Sequence, residues 1–158
     1  MTDIILDTNA FRVFLNRDVA QMFARAVIER CDGIHVPAGF EKELKFIPLH
    51  LLREPLRKLS EKRKFHVESS LEDIMLPERV DEELRRCRAD SFDIKVVRLA
   101  LRRSRRVERL YLVSNDSCIQ RVRSLLEPHK IYIRSLDEFK DEYLSSLTSL
   151  SIPLYGFP

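Results

Sequence analysis

Glycine is almost missing from this 158-residue chain, which has only Gly33, Gly39 and Gly156. Nucleotide sites of the P-loop and Rossmann kinds need glycine-rich turns, where the missing Cβ lets backbone close on a phosphate, so both are excluded. Also absent is any apolar run near the ~20 residues of a membrane span, and no membrane association is expected. No basic segment followed by an apolar stretch opens the chain, so the expected location is the cytoplasm. Cys31, Cys87 and Cys118 match neither a zinc spacing nor a disulfide framework and are expected to stay reduced there. His35, His50, His66 and His129 are scattered, which argues against a histidine-based zinc site.

What is present suits one compact domain, expected over residues 1–147 with a tail at 148–158. The net charge is only +3, but it is unevenly distributed. Residues 53–64 (REPLRKLSEKRK) and 102–109 (RRSRRVER) concentrate cations. Each stretch alone reads more readily as a solvated helix face. If both flank one cleft, Arg57, Lys58, Arg102, Arg103, Arg105 and Arg106 would hold a polyanion, because the guanidinium fork matches phosphate oxygens.

Strand and helix signals alternate. Ile4–Leu6, 34–36, 110–113 and 131–133 read as short strands; 11–31, 38–47, 49–64, 78–88, 91–105, 117–126 and 137–147 read as helical. Residues 65–77 carry no clear pattern. Strands separated by helices imply an α/β fold of three α/β/α layers around a central parallel sheet of four or five strands. Sites in such sheets form beyond the carboxyl ends of the strands. Two strands end there in the same style, "IILDTN" with Asp7, Thr8 and Asn9, and "LVSNDS" with Ser114, Asn115 and Asp116.

Two more acids belong with these. Glu43 follows the second strand on a helix whose apolar side holds Phe40 and Leu44. Asp93 opens a helix with apolar Val97 and Ala100 at i+4 and i+7, an inward stripe where a carboxylate is costly unless paired or metal-bound. Helix capping is the competing reading for Asp7, Asp116 and Asp93, with Asp90 as an alternative cap for the same helix as Asp93. Glu43 competes with Glu41 and with a plain surface role.

The combination resembles the PIN domain family of metal-dependent nucleases over roughly residues 3–140. "IILDTNAF", "HVPAGFEKEL", the Asp93–Val96–Ala100–Leu101 pattern and "LYLVSNDSCI" are similar to its four acidic motifs, in order. The resemblance implies Asp7, Glu43, Asp93 and Asp116 as catalytic, metal-holding acids, with Thr8, Asn9 and Ser114 as supporting polar residues. It departs from small toxin-type members in having Phe46-Ile47-Pro48 where a glycine often stands, and in a longer stretch between Glu43 and Asp93.

Oxygen ligands alone suit Mg²⁺ or Mn²⁺, which can activate water, while a second ion ~4 Å away steadies the leaving oxygen. The implied activity is RNA hydrolysis leaving a 5′-phosphate and a 3′-hydroxyl, as a toxin paired with an antitoxin or as an RNA-processing nuclease. The competing class is a PIN-fold module that binds RNA or a protein without cutting. The apolar residues of the tail suggest a protein partner or a homodimer, and equally a partly ordered terminus lying on its own domain. A haloacid-dehalogenase-type phosphotransferase would need aspartate where Asn9 stands, and a receiver domain an acidic pair and a late lysine that the spacing does not supply.

Overall fold

The computed structural model describes residues 2–7, 9–10, 30–44 and 49–144. Within them the chain forms β1 (Thr2–Leu6), β2 (Gly33–Pro37), α1 (Phe40–Glu43), α2 (Leu49–Glu61), β3 (Phe65–Glu68), α3 (Glu78–Arg86), α4 (Ser91–Ser104), β4 (Arg109–Val113), α5 (Ser117–Arg121), α6 (Arg123–Leu126), β5 (Ile131–Arg134) and α7 (Leu136–Phe139), which a π-type turn (Lys140–Leu144) extends. Thr8, most of the helix expected over 11–31, and the tail at 148–158 lie outside the described residues. None of the described helices is long and apolar enough to cross a membrane.

Five strands make one all-parallel sheet in the order β3-β2-β1-β4-β5. Ile4, Ile5, Leu6, Ile34, Val36, Leu110, Leu112, Val113, Ile131 and Ile133 are buried, the continuous apolar pattern of strands covered on both faces. Successive side chains alternate between those faces. Asp3 and Ile5 meet α4, which packs across β1, β2, β4 and β5. Ile4 pairs with Tyr111 on the other face, where Tyr111 meets Phe139 and Tyr143 edge to face. The sheet is therefore a middle layer between helices.

Three details differ from the sequence reading. The fifth strand is β3 within the unreadable segment, and its half-exposed "FHVE" at the sheet edge lacks the apolar run that marks the others. Of the helix expected at 38–47, residues 45–47 lie outside the described residues; in the rest α1 starts after Gly39, which takes a left-handed turn at φ 91, and Leu44 leaves helical geometry at ψ 44. The helix expected at 117–126 breaks at Val122 into α5 and α6.

Beneath α4 lies a polar network that the sequence pattern did not suggest. His35, 3 % exposed, places Nδ1 2.8 Å from Glu68 Oε2 and Nε2 3.0 Å from Asp3 Oδ2, the second contact an ion pair off the line of a hydrogen bond. Arg103 donates from Nε and Nη2 to the same Asp3 oxygen at 3.0 and 2.8 Å. Burial alone would push His35 down, yet its two carboxylate neighbours outweigh that and raise it above its ordinary value. Burial likewise opposes ionisation of Asp3 and Glu68, and the cations beside them hold both below the usual carboxylate range. His66 stacks on His35 with ring centres 4.8 Å apart, and a Cβ on Gly33 would come within 3.1 Å of both rings.

The cysteine expectation is corrected. Cys87 and Cys118 form a disulfide with Cα atoms 5.7 Å apart and a sequence separation of 31, while Cys31 is a buried free thiol. Closing a loop of that size removes unfolded-chain entropy worth about 3–4 kcal/mol. The spacing carries no motif, so only the packing of α3 against α5 and α6 brings the pair together.

Candidate functional site

The chain runs from β1 outward to β3, returns across the sheet, and enters β4 on the other side of β1. Strand order reverses between β1 and β4, and a crevice beyond their carboxyl ends is where open α/β sheets bind ligands. Asp7 and the segment Ser114–Asp116 occupy that position. Asp7 is buried, and its N–H continues the ladder to Val113 O at 3.0 Å. Fully buried Ser114 joins the two strand ends: its hydroxyl donates to Asp7 Oδ2 at 2.7 Å and accepts from the Asp116 N–H at 3.0 Å. Gln120 Nε2 donates to the Ser114 carbonyl at 2.8 Å and pins the same turn.

Capping and site placement turn out to coexist. Asp116 caps α5, its Oδ1 accepting from the N–H groups of Cys118 and Ile119 at 2.8 and 3.1 Å. At α4 the cap is Asp90, whose Oδ1 accepts from the Asp93 N–H at 2.8 Å. That leaves the Asp93 carboxyl on the inward stripe beside buried Val96, Val97 and Ala100. Burial first, and then the charges of Asp116, Asp90 and Asp7, push Asp93 up to about 7. Asp7, Asp93 and Asp116 therefore share one electrostatic field at one edge of the sheet.

The other expected site residues are placed differently. Glu43 is exposed on α1 and is not among the charges that dominate the Asp93 shift. Asn9 is exposed. Arg103 is 17 % exposed and committed to Asp3, and Arg102 donates to the carbonyls of Ser69 and Ser70. Arg57, on the exposed side of α2, pairs with Glu54 and Glu61 of its own helix, and Lys58 lies on the same helix.

Arg105 and Arg106 are exposed, but at the wrong end for flanking the acids. Helix α4 starts near Asp93, which feels the charge of Asp7, and ends with Arg103 on Asp3, so it runs antiparallel to β1. At 1.5 Å per residue, Arg105 lies about 18 Å from Asp93 along the axis. A nearer cation is Lys95, which lines a small cleft with Ala38, Glu68, Ser69, Ser70, Leu71 and Glu72. A lone lysine outside the arginine-rich run gave no signal in the sequence.

The donor set Asp7, Asp93 and Asp116 is all oxygen, which fits a hard divalent cation, and added positive charge would relieve the repulsion felt by Asp93. Among the described residues, however, no three Asp, Glu, His or Cys side chains converge tightly enough to form a finished cage. Replacing Ser114 with alanine removes the buried link between Asp7 and Asp116. It should lower the unfolding free energy by about 1.5–3 kcal/mol, the range for a hydrogen bond to a charged group, read from urea denaturation midpoints. No protein-family model, curated protein or solved structure matches this chain.

Proposed function

We propose that the protein is a Mg²⁺- or Mn²⁺-dependent ribonuclease acting in the cytoplasm, with Asp7, Asp93 and Asp116 as the carboxylates that hold the cation. What supports this reading is the placement of Asp7 and Asp116 at the strand ends where strand order reverses, with burial and their charges pushing the Asp93 carboxyl up to about 7. A bound divalent cation supplies charge neutralisation, Lewis acidity toward a phosphate oxygen and a more acidic water. The protein's own part is orientation. Ser114 fixes Asp7, the α5 cap fixes Asp116, and the Asp90 cap sets the first turn of α4 that presents Asp93. Lys95, two residues from Asp93, would contact the RNA backbone nearest the acids, with Arg105 and Arg106 reached only by a longer strand.

A second reading, RNA or protein binding without cleavage, draws on the unfinished cage and on Asp7 and Asp116 oxygens already engaged by the chain's own donors. Cleavage of a single-stranded RNA substrate separates the two. The purified protein should cut it with Mg²⁺ or Mn²⁺ and stop with EDTA. Asn caps a helix as well as Asp does, so Asp116→Asn should leave folding intact and abolish cleavage. RNA binding that ignores the metal, with no cutting, would establish the module instead.

A further inference from the structure

We propose that the Cys87–Cys118 disulfide is a redox-responsive clamp that holds the Asp93-bearing and Asp116-bearing connections together and so sets the cation affinity of the acidic edge. Its link to a cation rests on the metal-site reading above. Cys87 ends α3, where Arg88 takes a left-handed φ of 57 and the Ala89 N–H bonds back to Leu84 O at 3.0 Å. Asp90, the cap of α4, follows at once, and Asp93 lies in the first turn of that helix. Cys118 is the second residue of α5, and its N–H is one of the two donors that hold Asp116 Oδ1. The S–S bond therefore joins the two connections whose carboxylates repel one another, with Cα atoms 5.7 Å apart.

The bridge is half-buried at both cysteines, within reach of a small thiol. Cys31 is no competitor for exchange, since burial pushes its thiol up to about 12. Opening proceeds by thiol–disulfide exchange with the low-molecular-weight thiol pool of a reducing compartment. Two small thiols are oxidised to their disulfide, the Cys87–Cys118 S–S bond breaks, and each protein sulfur leaves as a protonated thiol. Without the bond, helix packing and the hydrogen bonds that hold the Ser114–Gln120 turn are left to oppose the mutual repulsion of Asp93 and Asp116. The first turn of α5 moves away from the α3–α4 connection, and the oxygens that would share a cation separate.

The test uses the full chain, air-oxidised and after dithiothreitol, with two readouts. NMR relaxation dispersion should be silent at the Asp93, Cys118 and Ile119 amides when oxidised and appear there on reduction, while Ile5 and Leu112 in the sheet stay silent in both states. Mn²⁺ should bind about tenfold more weakly to the reduced protein, as expected when preorganisation is lost. Cys87→Ser should behave like the reduced protein and ignore dithiothreitol. Identical dispersion and identical Mn²⁺ affinity in the two redox states would overturn the clamp. Dispersion that responds to reduction while Mn²⁺ binds neither state would uphold the tether and defeat the metal reading.

Discussion

Asp93→Asn should make the protein more stable and less active at once. Burial and the neighbouring carboxylates push Asp93 up to about 7 in the fold from an ordinary value of 3.8. A carboxyl raised in the native state binds more protons there than when unfolded, so stability falls as pH rises across that interval. Its favourable contribution is complete below about pH 3.8 and lost above about pH 7. Asparagine carries no charge at any of these values. The variant and the parent should therefore melt together near pH 4 and diverge by pH 8. Allowing for solvent screening of a half-exposed group, the gain at pH 8 is on the order of 1–2 kcal/mol, or about 3–6 °C in Tm for a chain of this size.

The same substitution should cost RNA cleavage more than about a hundredfold, since several kcal/mol of transition-state charge stabilisation depend on the cation. Mn²⁺ should raise the Tm of the parent and leave the variant unmoved. A variant with unchanged pH 8 stability and unchanged response to Mn²⁺ would refute the shared field of Asp7, Asp93 and Asp116. The opposite signs matter, because a residue kept only for structure would lose stability when replaced.

Asp3→Ala should be strongly destabilising. Asp3 is 1 % exposed and faces both His35 and Arg103. Removing one member of a buried ionic network leaves its partners uncompensated, a loss of about 3–5 kcal/mol measurable by urea denaturation. The pH profile gives an independent check. Asp3 and Glu68 are held below their ordinary values of 3.8 and 4.5, so their contribution is present above those values and fades as pH drops. His35 is raised above 6.5, so its contribution is full below 6.5 and fades as pH climbs through the raised value. The network is strongest between about pH 4.5 and 6.5. Asp3→Ala should flatten both flanks of that plateau, whereas Asp93→Asn removes a fall in stability that runs from about pH 3.8 to about pH 7.

The four strands β1, β2, β4 and β5 were readable because a sheet covered on both faces leaves unbroken apolar runs. Strand β3 was not, since His66 and Val67 are exposed at the sheet edge and the apolar pattern fades. Asp7 and Asp116 were readable from their place at strand ends, and Asp93 from its apolar i+4 and i+7 partners. The directions of Arg102 and Arg103 were not, because a guanidinium aims at whatever tertiary contact it finds, and the partner of Arg103 lies 100 residues away. The disulfide was hidden for the same reason. His35 and Glu68 look like scattered polar residues until β2 and β3 pair in register.

The distance between Asp3 and Arg103 also bears on how the chain emerges from a ribosome. Until residue 103 is synthesised and clear of the exit tunnel, Asp3 and Glu68 face a single imidazole, and the excess carboxylate has no buried cation. The first three strands therefore gain little by pairing early. Docking of α4 neutralises the network and covers one face of the sheet in the same event.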